Sequence, residues 1–453
     1  MTVDETGPEP RRESMILKIV ILGFLMIVLL IPLSMIGSIV YERQQRARQV
    51  YAEVAAGWGS AQTVGPLLLS VPYRDTYTEP NGRIVTVDRM ARFLPEDLQV
   101  ETRVSPEVRR RSLYDVVIYT AHVKMTGSFK RPNPSLLRIN PSGTVLWDDA
   151  KLTLPLSERK GVVPGATLKW REAAMELSPS APAPLASVLS TGLEATVSGL
   201  AEADPEMKLP FEIVMDLKGS GSIQMQPSGK TTVVHLSAPW RDPSFMGGFL
   251  PDSRQIEDGG FDATWRLTSL SRPYPQAWRD QDISDNDLSV NLAKAAFGAT
   301  FIQTVDAYQQ TDRSIKYGAL FILLTFTTFV LVELLQSVRV HPVQYLMVGA
   351  ALCLFYLLLL SLSEHLRFGL AYAIGAAATI GVITMYTVNV LGGLRQGLMT
   401  GTGLTGLYVF LYVLLQLEDY ALLTGSVALF LILAFLMFIT RRINWYELRR
   451  TPA

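Results

Sequence analysis

The sequence predicts an α-helical membrane protein with six transmembrane helices and a large, mostly antiparallel, sandwich-like β domain inserted between helices 1 and 2. Three observations predict it. One apolar span lies near the N-terminus, from about Ile16 to Val40. A long polar stretch follows, in which apolar residues recur with period two. From about Tyr317 to Thr440, apolar spans then succeed one another with short breaks.

Composition supports this division. The 453 residues carry 41 Lys+Arg and 41 Asp+Glu, a balance that argues against a nucleic-acid partner. Charged residues make up 18%, below the roughly 25% of soluble domains. Mean hydropathy is positive. The single cysteine, Cys353, lies in an apolar run, so the polar domain is expected to hold no disulfide. At about 275 residues it can bury a core without one. Four histidines and one cysteine are too few to suggest a zinc-type site, and no cofactor is expected.

In chain order, residues 1–15 form an N-terminal tail. Residues 16–40 exceed the roughly 20 apolar residues that cross a bilayer. A cleaved signal peptide has a shorter apolar run and a small-residue cleavage site, so 16–40 reads as an uncleaved signal anchor, kinked at Pro32. Residues 41–316 are the β-rich domain with helical stalks, 317–440 a five-helix bundle, and 441–453 a C-terminal tail. The bundle spans run at about Tyr317–Ser337, Val343–Ser363, Phe368–Leu391, Leu398–Leu417 and Tyr420–Thr440. Their separators VRVHP, EHLR, GGLRQ and LED are tight turns between antiparallel neighbours.

Lys/Arg bias in short loops sets the orientation. The first span is a tie, with Arg11, Arg12 and Lys18 on one side and Arg43, Arg46 and Arg48 on the other. The later spans break it. Arg339, Arg395, Arg441, Arg442, Arg449 and Arg450 share one face; the other has Arg367 with Glu364, Glu418 and Asp419. The arginine-rich face is read as cytoplasmic, which puts both termini inside and the large domain outside.

Within 41–316, Tyr41 to about Ala61 reads as a helical stalk that extends the first span. LQVETRV puts Leu98, Val100 and Val104 on one face. FEIVMDL puts Phe211, Ile213, Met215 and Leu217 opposite Glu212 and Asp216. VVIYTAHVKM, TLKWREAAMEL, TTVVHL and FDATWRL also read as strands. SIQMQ-PSGK-TTVVHL is expected to form a hairpin turning at Pro227–Lys230. The Pro/Ala/Ser stretch Ser178–Ser187 is read as a loop dividing two lobes. DAYQQTDRSIKYG reads as helix running into the second span, unbroken until Gly318.

No phosphate loop, dinucleotide fingerprint or zinc-protease helix is present. Candidate residues are few. Glu333 lies about one turn inside the second span, and a carboxylate at depth raises an ion or proton path. Its structural alternatives are snorkelling or pairing with Arg339. Glu364 and His365 sit in the turn after the third span; they read as a pH-sensitive pair or, more often, a solvated cap. Asn389 and Gln416 are expected to bond between helices, and the glycines of GGLRQGLMTGTGLTG to let helices approach closely. WRDPSFMGGFLPDSR, with Trp240, Asp242 and Phe245, reads as a binding loop or as a long loop folded over the β core. Ser244 near His235 lacks a nucleophile-elbow pattern.

Several blocks together resemble the CreD family of bacterial inner-membrane proteins, called cell envelope integrity proteins. They are VGPLLLSVPY (Val64–Tyr73), APWRDPSFMGGFLPDSR (Ala238–Arg254), GGFDATW (Gly259–Trp265), DAYQQTDRSIKYGALFILLTF (Asp306–Phe326), HPVQYLMVGAALCLFYLLLLSLSEH (His341–His365) and RRINWY (Arg441–Tyr446). These segments add Asp306, Tyr308, Asp312, Arg313 and His341 to the candidates. The resemblance implies an inner-membrane location, a periplasmic domain and a role in envelope integrity. It also implies expression tied to a two-component response in some bacteria, linked to antimicrobial peptides or β-lactams. It carries over no catalytic residue.

The function expected is therefore non-enzymatic support of envelope integrity. Its partners are the lipid bilayer and a periplasmic envelope protein, lipid or cell-wall component. One alternative is a transporter or flippase-like bundle with a periplasmic gate, resting on Glu333, Asn389 and Gln416. Another is a membrane-embedded enzyme on lipid or cell-wall precursors, resting on Glu364, His365 and Asp419.

Overall fold

The computed structural model describes all residues except 1–14, 79, 82, 134–142, 181–188, 190, 205, 302–306, 337–339, 391–392, 418–419 and 442–453. The chain divides into two compact units: Arg48–Thr304, and Met1–Ala47 with Val305–Ala453. Helix α1 (Met15–Trp58) is a single run of 44 residues and contributes to both. It unites the expected span and stalk, and Pro32 lies inside it without ending it.

The β unit holds two sheets. The first contains β1 (Gln62–Val64), β2 (Leu68–Thr78), β3 (Ile84–Phe93), β6 (Thr144–Val145), β7 (Lys151–Leu156), β10 (Ser178–Ser180), β11 (Thr191–Thr196), β13 (Ser222–Met225), β15 (Pro243–Gly247), β18 (Ala277–Arg279) and β19 (Phe297–Phe301). The second contains β4 (Asp97–Arg111), β5 (Tyr114–Lys130), β8 (Thr167–Trp170), β9 (Ala173–Glu176), β12 (Lys208–Ser220), β14 (Thr231–Ala238), β16 (Ser253–Glu257) and β17 (Gly260–Thr268). Its order is β16-β17-β14-β4-β5-β12-β8-β9. Both sheets are mixed. Pairing is antiparallel except for β1 with β13 and β14 with β4, which run parallel.

The alternation read from the sequence fixes which face turns inward. Leu98, Val100 and Val104 of β4 are buried, as are Phe211, Ile213, Met215 and Leu217 of β12. They join Leu69, Leu152 and Leu154 of the first sheet in one core between the sheets. That core draws on both sides of the Pro/Ala/Ser stretch, of which Ser178–Ser180 is β10, paired with β11; residues 181–188 lie outside the described residues. Trp58, the last residue of α1, donates its ring N–H to the Tyr119 carbonyl at 3.1 Å. Arg109 and Lys218 lie over its ring, 4.4 and 4.5 Å from the centroid.

Two strand expectations are corrected. TLKWREAAMEL is a hairpin, β8 and β9, turning at Arg171 with φ +55°. No glycine or proline marks that turn. The expected hairpin at Pro227–Lys230 does not form: β13 pairs with β1 and β19, whereas β14 pairs with β17 and β4 in the other sheet. The PSGK segment crosses between sheets, with Pro227, Ser228 and Gly229 buried and Lys230 exposed. Its backbone groups bond outward, Gln226 N to Val64 O at 3.0 Å and Lys230 N to Pro95 O at 2.9 Å. The Tyr274 hydroxyl donates to the Pro227 carbonyl. Burial pushes that hydroxyl's pKa up, and burial pulls the neighbouring Arg272 guanidinium down. Alternation reports a strand's faces but not its partner, which is why the local signal misled.

In the helical unit, α3 (Ala307–Lys316) and α4 (Gly318–Gln336) meet at Tyr317 with a bend of 46°. Next come α5 (Pro342–Ser363), α6 (Phe368–Val390), α7 (Leu394–Gln416) and α8 (Ala421–Thr440); α2 (Asp285–Ala295) belongs to the β unit. Helices thus occur at all six expected spans. Among the described residues, four are by length and composition long and apolar enough to cross a membrane, and five if the bent α3–α4 pair is one span.

Tyr274→Phe removes the donor to the buried Pro227 carbonyl and leaves that acceptor unmet. We expect a loss of about 1–3 kcal/mol in the β unit, read as a lower urea midpoint of tryptophan fluorescence for the full chain in micelles. An unchanged midpoint would show that the crossing does not depend on this bond.

Candidate functional site

The ionisable candidates of the helical unit gather at two places along α5. At its N-terminal end, the Lys18 ammonium of α1 pairs with Glu333 of α4 and donates to the Val340 carbonyl at 2.7 Å. The Tyr345 hydroxyl donates to the other oxygen of Glu333 at 3.2 Å. Lys18 also lies over the Tyr345 ring, 5.7 Å from its centroid, and Phe326 and Phe329 pack against that ring. The side chains of Lys18 and Glu333 are only 17% and 18% exposed. Glu333 therefore takes the structural alternative, with Lys18 as partner. Arg339 lies outside the described residues.

At the far end of α5, Glu364 accepts from the Tyr308 hydroxyl at 3.2 Å and lies 3.6 Å from Arg43 of α1. Tyr345 and Glu364 are 19 residues apart, about 28 Å of helix and close to the roughly 30 Å of a hydrocarbon core. The two charged clusters thus bracket a membrane-sized interval. Between them α1 presents a stripe of Leu22, Leu29, Leu33, Ile36 and Val40. A Cβ on Gly318 would come within 2.8 Å of Leu33, and one on Gly349 would run into Leu29. These glycines are where α1 sits closest.

The bundle centre is aromatic. Tyr408 packs on Phe355 at 4.8 Å and on Phe321 at 5.3 Å, while Tyr372 donates to the Tyr408 carbonyl at 2.7 Å. Side chains at Gly397 and Gly401 would collide with Val388 and Thr384 across the antiparallel α6–α7 pair, so the small-residue stripe serves packing. Asn389 and Gln416 do not meet. Each is at the C-terminal end of its helix, so the antiparallel pairing sets them at opposite ends. Asn389 instead bonds the Met385 carbonyl of its own helix at 3.3 Å.

The remaining candidates fall into local roles. His341 caps α5: its ring nitrogen accepts from Val343 N at 3.3 Å, and Gln344 accepts from His341 N at 2.8 Å. The His365 ring faces the Ser361 carbonyl at 3.2 Å. Asp312 pairs with Lys316 at 2.8 Å along α3, where Arg313 is half-buried. Trp240 packs edge-on against Phe301 at 6.1 Å, and Phe245 against Phe261 and Trp265 at 5.6 and 5.8 Å. Their segment is β15, a loop and the start of β16, so neither a free binding loop nor one long loop over the core describes it; Asp242 alone of the three is exposed. His235 meets Asp262 at 3.0 Å, in the sheet that does not contain Ser244. Asp306 and Asp419 lie outside the described residues. Among the described residues, no group of three or more His, Cys, Asp or Glu could hold a metal ion.

Against this geometry the comparisons with known proteins are direct. The model of the family "Inner membrane protein CreD" matches residues 14–446. The inner membrane protein CreD of Escherichia coli strain K12 is 30% identical over 432 residues, which cover 93% of this chain and 91% of that protein. The chain belongs to the CreD family. The match runs through both units, so the paired clusters of α1, α4 and α5 lie within the shared length. Among solved structures, one from Legionella pneumophila, provisionally assigned as nutrient binding, overlaps 41% of this chain and 68% of its own at a TM-score of 0.25 and 7% identity. So slight a likeness bears on neither fold nor function.

Lys18, Arg43 and Tyr345 are the site residues that the sequence reading passed over. Lys18 carried a signal, since a basic residue inside an apolar span needs a partner. Its partner is 315 residues away in the chain, beyond the reach of local pattern.

Removing one side of the Lys18–Glu333 pair strands the other charge. Lys18→Met should lower the thermal midpoint of the micellar protein by the equivalent of about 3 kcal/mol, and Lys18→Met with Glu333→Leu should recover most of it. Failure of the double variant to recover would assign the loss to shape and not to charge. His341→Ala should cost about 1 kcal/mol through the lost cap, while His341→Asn should keep it.

Proposed function

We propose that the chain is a non-enzymatic inner-membrane protein that supports cell envelope integrity and acts in the response to envelope stress. Its β unit is a periplasmic interaction domain, and its helical unit is the anchor. Six spans with both termini in the cytoplasm agree with the arginine bias of the late loops and with a helix at each expected span. The partner is a periplasmic envelope protein, lipid or cell-wall component. Membership of the CreD family supports the membrane setting.

The observation that carries this reading is the contrast between the two units. In the helical unit, Glu333 and Glu364 are engaged by Lys18, Tyr345, Arg43 and Tyr308, and aromatic rings fill the centre. In the β unit, the second sheet leaves its outer face open and studded with ion pairs. His122–Asp216 at 2.7 Å, Lys124–Glu212 at 3.1 Å and His235–Asp262 at 3.0 Å stand on it, each side chain 41–53% exposed. Exposed pairs of this kind contribute little to stability, so the face is free to serve recognition.

The test uses intact cells that depend on this chain under envelope stress. A photo-crosslinking residue at Gln99 or Glu101, both exposed on the open face, should capture one reproducible periplasmic partner. Lys18→Met with Glu333→Leu, which removes both charges of the clamp, should leave stress resistance intact at equal protein level. No captured partner together with lost resistance in this double variant would overturn the reading in favour of transport through the bundle.

A further inference from the structure

Strand β16 (Ser253–Glu257) is the edge of the second sheet and pairs only with β17 among the described residues. All five of its residues are exposed, and Ile256, one residue from its end, is 48% exposed. Close to it in the chain, Met246 and Leu250 are 38% and 71% exposed. An open edge with an exposed apolar residue is a template for another strand. A short edge strand can also be a guard against such pairing, so the side chains must decide.

The sequence of this edge is self-complementary. Laid antiparallel on itself about Ile256, strand SRQIE and the turn residue Asp258 that follows it set Ile256 opposite Ile256 of a second copy and Arg254 beside its Asp258. Gln255 then faces Glu257 across the other side of the sheet. Directly opposed residues in antiparallel strands share a face, with Cβ atoms about 5 Å apart. Arg254 and Glu257 have no ion-pair partner among the described residues. Asp258 is 92% exposed and meets only Arg241, itself 73% exposed, a pair that solvent leaves weak. One apolar contact flanked by two Arg–Asp pairs is what a two-fold axis through Ile256 would generate.

We propose that β16 is a homotypic docking edge, at which two copies of the chain join their second sheets about a two-fold axis. Two strands this short bury less than the roughly 1,000 Å² that a freestanding interface needs. The association therefore relies on confinement of the chains in one bilayer, which raises their effective concentration. It is expected in membranes and should dissociate in dilute detergent.

The test is oxidative crosslinking of the full chain in intact cells. The native Cys353 is buried, and the unaltered chain should give no dimer. Ile256→Cys should yield a disulfide-linked dimer at least tenfold above Leu270→Cys, which replaces a residue 95% exposed elsewhere on the unit. Arg254→Asp added to Ile256→Cys should cut that yield at least fivefold, and Asp258→Arg added to both should restore it. Equal yields at the two cysteine positions, or yields indifferent to the charge exchange, would overturn the proposal and leave β16 a guarded edge.

Discussion

In a bilayer a leucine stripe gains little by leaving lipid for another helix. The docking of α1 therefore rests on its polar ends, Lys18 with Glu333 and Arg43 with Glu364. Between them, Leu29 and Leu33 meet glycines at Gly349 and Gly318, which bring backbones close and add dispersion. The charges select the position of α1 and the glycines supply the fit. Neither alone explains why one face of α1 is buried while Ile19, Phe24, Ile31 and Met35 remain exposed.

The β unit solves a different problem. Its core is built by burial of Leu, Ile, Val and aromatic side chains between two sheets. Its difficulty is topological. The chain changes sheet after β13, and a buried connection must satisfy its backbone groups one by one. Gln226, Lys230 and the Pro227 carbonyl each find a partner, the last through Tyr274. Close packing at Gly229 leaves no room for a side chain, since a Cβ there would press on the backbone of Thr231 and Leu98. The glycine that looked like a hairpin signal is there for the crossing.

Much of the architecture was legible in the sequence, for physical reasons. Apolar length marks a helix in lipid, and all the late spans are helices within a few residues of their expected ends. Period two marked the faces of β4 and β12 correctly because it reports burial directly. Pairing was not legible. The parallel contact of β14 with β4 joins residues over 100 apart in the chain, and nothing in TTVVHL distinguishes it from a hairpin strand. The turn at Arg171 was invisible because a non-glycine residue takes a positive φ there. Of the candidate site, Glu333 and Glu364 were recognisable as carboxylates near apolar ends, while Lys18 and Arg43 had to wait for the fold.

The fate of those carboxylates bears on where activity can reside. A carboxylate that moves ions or protons through a membrane must change partners or charge state. Glu333 accepts from an ammonium and a phenol at once, and that ammonium is held in turn by the Val340 carbonyl. Each added bond favours one arrangement of α1, α4 and α5. The same acid at the same depth would be a poor relay for the reason that it is a good clamp. The contrast is with His122 and His235, whose pairs with Asp216 and Asp262 stand in solvent on an open sheet face, where partners exchange at little cost.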